Sequence, residues 1–358
     1  MIRLHNLIPA AGLLALAVTS LPLSARALAI PADIEQYLLG VAKFTPAEAA
    51  SLERGQVIAK VTPGGVEGEV VAVAAVKIQA ARKQVAAYYG QMISYVDGAV
   101  TKGFGKFSNP PVLADVQRMS LDATDIAHLK SCKPSDCDLR VGGQAVTKVR
   151  AAVDWNGPDP AGQVNALLRQ SAVDYVSAYL KSGDEALITY DSSAKPVSLK
   201  EQWPGLMQGS QYFQQTNPAL RDYLSQYPRQ KLAGATDILY WVNEVYTGMK
   251  PVISIVHGVV YDAPGQPDRT VIMQKQLYAS HYYDGSLALA VAVDAGDAAA
   301  PATYLIYGNR SRGDLLKGGF GGLKRRLAGD QARKAAVQTL ETIKTQLEGA
   351  QLRRSGGV

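Results

Sequence analysis

Few side chains in this 358-residue sequence are equipped for chemistry, and they are scattered. Beyond residue 29 the histidines are His128, His257 and His281, and the cysteines are Cys132 and Cys137. No Gly-x-Ser-x-Gly turn presents a nucleophilic serine, and no His-Glu-x-x-His pair offers a zinc site. The run Gly-Phe-Gly-Gly-Leu ending at Leu323 lacks the Lys-Ser/Thr that completes a phosphate-binding loop. Hydrolase, metalloprotease and nucleotide-binding readings are disfavoured, no catalytic residue is assigned, and no cofactor is expected. What remains is a set of polar residues on or beside strand-like runs: Glu244, His257, Lys275, His281 and Arg310. If they point into one cavity, they can orient the carboxylate or hydroxyl of a ligand in an otherwise apolar pocket. The alternative is that they face solvent or satisfy hydrogen bonds of the core, and strand register decides between the two. Tyr240, Tyr246, Tyr261, Tyr278, Tyr282, Tyr283, Tyr304 and Tyr307 crowd the same region, and tyrosine suits a cavity wall or a sheet surface equally.

Cys132 and Cys137 flank a proline in Ser131-Cys-Lys-Pro-Ser-Asp-Cys-Asp138. In an oxidising compartment they are expected to form a disulfide that pins one small loop. Free thiols are a second reading. A metal site using His128, Asp136 or Asp138 is a third, and it requires thiolates kept reduced.

The segment 310–327 holds six basic residues, Arg310, Arg312, Lys317, Lys324, Arg325 and Arg326, opposed only by Asp314. Leu315, Leu316, Phe320 and Leu323 are interleaved with them around a glycine-rich centre. Basic flanks with apolar tips suit shallow insertion at an anionic membrane, with Arg312, Lys317, Phe320, Lys324, Arg325 and Arg326 as the docking residues. The plain alternative is a solvated loop joining a strand to a helix.

The start of the chain reads as an export signal. Arg3 precedes an apolar stretch from Leu7 to Leu23, and Ala27-Leu28-Ala29 supplies the small-x-small pattern before a cleavage point. The stretch is short for a bilayer span and contains Pro9 and Pro22, although an uncleaved anchor is the alternative. The expected product is a soluble exported protein, most simply periplasmic in a bacterium. Losing Arg3 and Arg26 leaves 35 basic against 31 acidic residues, a mild excess that does not suggest nucleic acid as a partner. At 19% charged and 47% hydrophobic the chain is not disordered, and two cysteines cannot hold a fold of this length without a core.

The elements that must position these residues follow from periodicity. Gln56 to Thr62 and Glu69 to Ile78 read as strands around a Pro-Gly-Gly turn, and Ala80 to Val96 switches to helical period. Thr45-Pro46-Ala-Glu48 and Asp159-Pro160 open helices, the second running to Gly183. Residues 97–150 read as irregular, with a short helix at 124–129 and a strand within 139–149; Pro204 is expected to break a helix. From residue 236, five strand-like runs separated by short turns must form an antiparallel meander, because parallel strands need longer crossovers. A last helix at 330–347 shows a buried stripe of Ala336, Leu340, Ile343 and Leu347.

A strand, a helix, a meander and one long C-terminal helix together resemble the START-like (helix-grip) superfamily over about residues 56–97 and 236–348. Val70 to Ile78 leading into Gln79-Ala-Ala-Arg-Lys-Gln-Val85, and Arg310-Ser-Arg312 leading to the last helix, carry the likeness. It implies an α+β fold whose antiparallel sheet wraps around the C-terminal helix, here with a large, mostly helical insertion at about 98–235. Residues 1–29 would be the signal, 30–348 the domain, and 349–358 a flexible tail. It also implies a cavity between sheet and helix that binds, and in some cases carries, a lipid or other apolar molecule. An enzyme acting on such a ligand, or a non-catalytic envelope interaction protein, are the alternatives.

Overall fold

The computed structural model describes residues 30–355, apart from 96–100, 135, 192, 194, 211–216, 246, 247, 298, 314, 315 and 318–320. The expected signal at 1–29 lies outside the described residues. The fold is α+β. Eight strands form one antiparallel sheet, and their ranges are β1 Ile58–Pro63, β2 Glu69–Ile78, β3 Thr101–Lys106, β6 Ala235–Glu244, β7 Val252–Tyr261, β8 Arg269–Ala279, β9 Tyr283–Asp294 and β10 Thr303–Gly313. Their spatial order is β1-β2-β10-β9-β8-β7-β6-β3. Two short strands, β4 Thr189–Tyr190 and β5 Val197–Ser198, pair separately. The five-strand meander is as expected from the turn spacing.

The helices are α1 Ala32–Gln36, α2 Pro46–Ser51, α3 Arg82–Tyr95, α4 Ala123–Ser131, α5 Gly143–Ala152, α6 Pro160–Ser182, α7 Leu199–Gly209, α8 Pro218–Gln226 and α9 Gly321–Ser355. Thr45 caps α2 in a reciprocal capping box with Glu48, and Asp159 caps α6 by accepting from the Gly162 N–H at 2.8 Å.

Side chains alternate across a strand, so each strand presents two faces. Ala74, Val76, Ile78, Ile272, Ala290, Ala292 and Leu305 share the face covered by α3 and α9, where they meet Val85, Ala336, Leu340, Ile343 and Leu347. The opposite face is covered as well, in two patches. Residues 30–52 lie over Val73, Ala75, Val291, Val293, Tyr304 and Ile306. Helices α4 to α8 lie over Leu239, Trp241, Ile253, Ile255, Val259, Met273 and Leu287. Burial on both faces explains why β2 reads as a nearly continuous apolar run from Val70 to Val76 rather than a clean alternation.

Four sequence expectations change. Residues 101–106 are an edge strand of the main sheet, paired with β6, and not an irregular part of the insertion. Glycines make this pairing sterically open: a Cβ at Gly105 would lie 2.5 Å from Trp241 Nε1. The strand expected within 139–149 is the helix α5. There Val146 is buried and Val149 packs on the core three residues later, and a β-branched penalty of at most about 0.7 kcal/mol per residue is easily outweighed. Helix α7 runs through Pro204. The proline costs about 3 kcal/mol, but Leu199, Trp203, Leu206 and Met207 are all buried on one stripe and contribute about 1.5–3 kcal/mol each. Helix α9 begins at Gly321 and continues to Ser355, so the tail expected at 349–358 is helical through residue 355; Gln, Leu and Arg are good helix formers.

Cys132 and Cys137 are paired, with Cα atoms 5.0 Å apart, as a disulfide requires. Among the described residues no cluster of three or more His, Cys, Asp or Glu is placed to hold a metal ion. Because the closed loop is short, replacing both cysteines with Ser is expected to cost about 2 kcal/mol or less. A denaturant titration showing a loss above 4 kcal/mol would mean the loop anchors the insertion.

Candidate functional site

Among the described residues, a cavity of about 320 Å³ opens between the two covering layers on the insertion side. Its floor is the sheet itself: Val71 and Val73 from β2, Ile306 and Gly308 from β10, and Leu287, Leu289 and Val291 from β9. One wall is α1 and the π-helix Tyr37–Val41 that continues it, through Ile34, Tyr37 and residues 40–43; the other includes Gly209 and Ser210 at the end of α7. Gly308 leaves the floor open beneath Tyr37, since a Cβ there would stand 3.5 Å from the tyrosine hydroxyl. The size falls in the range of small-molecule sites, and the floor is apolar, as such sites usually are.

The polar members of the lining are Tyr37, Thr62, Ser210, Asn309 and three cations, Lys43, Lys60 and Arg310. Arg310 is fixed rather than free: it pairs with the buried Glu69 and donates to the Gly209 carbonyl. Arg312 Nε donates to the other oxygen of Glu69 at 2.8 Å, and the Gly65 N–H also donates to Glu69, at 3.0 Å. Lys60 Nζ donates to the Lys43 carbonyl at 2.6 Å and pairs with Glu48 at 2.8 Å. That contact with Lys60 holds the Glu48 carboxyl down to about 2.

The five candidate ligand residues do not converge. Arg310 lines the cavity above. Glu244 lies on the other face of the sheet, near Tyr240, Tyr283 and Tyr307. Burial, and then the charge of Glu244, push those three hydroxyls up, Tyr307 to about 12. His257, Lys275 and His281 are buried at the junction of sheet and insertion, each with an acid. His257 Nε2 is 2.8 Å from Asp237, and its Nδ1 is 3.0 Å from the Tyr179 hydroxyl. The Tyr223 hydroxyl donates to the same Asp237, at 2.7 and 2.8 Å. Lys275 pairs with Asp184, its Nζ 5.0 Å from the centre of the Trp203 ring. His281 Nε2 is 2.9 Å from Asp125, and Arg140 pairs with Asp284 at 2.7 Å. Thus α4, α6 and the segments after them are latched to the sheet by buried polar pairs as well as by apolar packing.

Burial pushes the His257 imidazolium pKa down, and Asp237 only partly opposes this, so His257 is held neutral. Burial would raise the Asp237 carboxyl, but the hydrogen bonds it accepts from His257 and Tyr223 outweigh it and the net shift is downward. Both groups take up protons more readily in the unfolded chain, so their stabilising contribution is complete above about pH 6.5 and falls as pH drops, first through His257 and then through Asp237. Denaturant unfolding is expected to show lower stability near pH 5 than at neutrality, with a slope from His257 of at most about 1.4 kcal/mol per pH unit. A His257→Gln variant should have a shallower slope, and an unchanged slope would refute this assignment.

The six expected membrane-docking residues also separate. Arg312 is held by Glu69, and Lys317 pairs with Asp284 at 2.7 Å, so both turn toward buried acids. Phe320 lies outside the described residues. Lys324 and Arg325 fall in the first turns of α9, where only the backbone is described, and Arg326 is exposed on that helix. Among the described residues no helix is long and apolar enough to cross a membrane.

Sequence reasoning missed Lys43, Lys60 and the cavity floor. The usable signal was that β2, β9 and β10 are apolar on both faces, which requires two covers and so permits a gap between them. Compared with known proteins, the chain matches no family model and no curated protein sequence.

Proposed function

We propose that this protein binds an amphiphilic small molecule of lipid type, with its apolar part on the sheet floor between the N-terminal helices and the insertion. The observation that supports it is the cavity of about 320 Å³, with seven sheet residues as an open floor and polar groups at its rim. Among the described residues its lining is a mostly apolar floor with hydroxyls and cations and holds no histidine, cysteine or carboxylate, an arrangement that suits binding or carriage of an amphiphile. Residues 1–29 are taken as an export signal, so the ligand would be met outside the cytoplasm. Contact with an anionic membrane would fall to Lys324, Arg325 and Arg326, since Arg312 and Lys317 are engaged with acids.

Native mass spectrometry of the purified protein is expected to show a bound small molecule or uptake of an added alkyl amphiphile. Gly308→Leu places a side chain on the floor under Tyr37 and should lose that ligand while keeping the fold. Absence of any uptake by the wild type would defeat the proposal.

A second reading keeps the START-like likeness and puts the ligand on the sheet face toward α3 and α9. It is favoured by Tyr240, Tyr283, Tyr307 and Glu244 clustered there, with Gln274 Nε2 donating to the Tyr240 hydroxyl at 2.9 Å. Under this reading Tyr307→Phe, and not Gly308→Leu, weakens binding.

A further inference from the structure

We infer that the head of the ligand is a compact monoanion, a carboxylate or a phosphate, seated over the row Thr62–Val71–Arg310 between Lys60 and Arg310. The inference rests on the proposed amphiphile site and adds the charge of what enters it. Among the described residues, three cations line the cavity and no acid does. The acids that hold these cations stand outside the lining. Glu48 engages Lys60 from the rim, and Glu69 lies beneath Arg310 with its side chain 1% exposed.

Among the described residues Glu69 does not balance its surroundings. Two guanidinium groups, those of Arg310 and Arg312, converge on this one carboxylate, and neither has more than 16% of its side chain exposed. Among the described residues the other partners of the two arginines are neutral: the Gly209 carbonyl for Arg310, and the backbone and side-chain oxygens of Gln202 for Arg312, at 3.5 and 3.2 Å. A partly buried cluster with one positive charge in excess is costly unless an anion joins it, and Arg310 is the member that lines the cavity. Lys43, at the opposite rim, has no ion pair among the described residues and adds to the same sign of field.

Strand register puts the two fixed cations within reach of one head group. Thr62 faces Val71, which faces Arg310, and Lys60 faces Val73, which faces Gly308. Lys60 and Arg310 are therefore two strands and one side-chain step apart, a Cα separation of about 12 Å with Val71 and Val73 between them. Both are long side chains that line the cavity, and Thr62 adds a hydroxyl donor between them. A planar carboxylate or a phosphate matches a guanidinium held in place on its far side. From that row the floor continues through Leu289, Val291 and Ile306, where an alkyl chain would lie.

The test uses one alkyl length with four heads: dodecanoate, dodecyl phosphate, dodecanol and dodecyltrimethylammonium, titrated calorimetrically below their micelle-forming concentrations. The two anions are expected to bind at least about tenfold more tightly than dodecanol, with the cation weakest and with salt narrowing the difference. Tighter dodecanoate points to a free fatty-acid type of ligand, and tighter dodecyl phosphate to a phospholipid head. Lys60→Gln should weaken anion binding about fivefold or more while leaving dodecanol unchanged. Arg310→Gln should do the same more strongly; Arg312 keeps Glu69 paired in that variant, and circular dichroism checks that it folds. Dodecanol binding as tightly as dodecanoate would overturn the anionic head and leave the amphiphile site standing. No binding by any of the four would overturn both.

Discussion

Asp184→Asn is expected to cost the protein about 3 kcal/mol at neutral pH, because it leaves the Lys275 ammonium buried without a counter-charge. Lys275 is 1% exposed and its carboxylate partner comes from the insertion, 91 residues away in sequence. The ammonium also lies near two aromatic faces, Trp203 at 5.0 Å and Tyr179 at 5.9 Å, which soften the loss without replacing a full charge. Burial pushes the Lys275 pKa down and Asp184 opposes it; without that carboxylate the depression must deepen. A lysine whose folded pKa is depressed contributes most above its unfolded value, near 10.5, and less as pH falls. The deficit of Asp184→Asn should therefore be large at neutrality and shrink toward pH 10, as the neutral amine no longer needs a partner. Adding Lys275→Met to Asp184→Asn should restore most of the loss, since an apolar side chain of similar length tolerates burial. Chemical denaturation of the single and double variants checks each step, and equal stability of wild type and Asp184→Asn at pH 7 would show that the pair does not latch the insertion.

Leu340→Asp should be more severe, at about 4 kcal/mol or more, enough to unfold many domains. Leu340 is 1% exposed in the layer between α9 and the sheet, with Ala336, Ile343, Val76 and Leu305 in the same cluster. Truncating such a leucine to Ala already costs about 2–5 kcal/mol, and Asp adds the desolvation of a carboxylate placed among apolar side chains. Gln338→Asp, on the exposed side of the same helix, is the control and should change stability by about 0.5 kcal/mol or less. Thermal melting distinguishes the two. Matching melting temperatures for Leu340→Asp and wild type would mean that α9 does not seal this face of the sheet.

With both faces of the sheet covered, the consequences of a substitution depend on which layer the residue meets. Leu340 sits among Ala336, Ile343, Val76 and Leu305, an apolar part of its layer where a new charge is costly. Lys275 sits in a layer where the insertion supplies acids, so there the damaging change is loss of the partner.

Local pattern determined much of the architecture. The turns after residues 244, 261, 279 and 294 are too short for anything but antiparallel neighbours, and the structure has that meander. The stripe Ala336, Leu340, Ile343 and Leu347 identified the buried side of α9, and Thr45 and Asp159 marked helix starts, because caps and 3.6-residue periodicity act within one turn of chain. The site was not legible in that way. A period of two says that His257 and Val259 share a face, but not whether that face meets α6 or α9. The answer lies in partners such as Asp184 and Asp125, 91 and 156 residues distant from Lys275 and His281. Pro204 was read by its local cost alone, whereas the apolar stripe beneath it, meeting a sheet formed later in the chain, decided the helix. The cavity is the extreme case. It is no element at all but a space lined from two separately packed layers, and the relative placement of residues 30–52 and the insertion on β2, β9 and β10 creates it. Short-range sterics and hydrogen bonding choose the elements; the long-range contacts that set layer against layer choose which side chains face one another and where room is left.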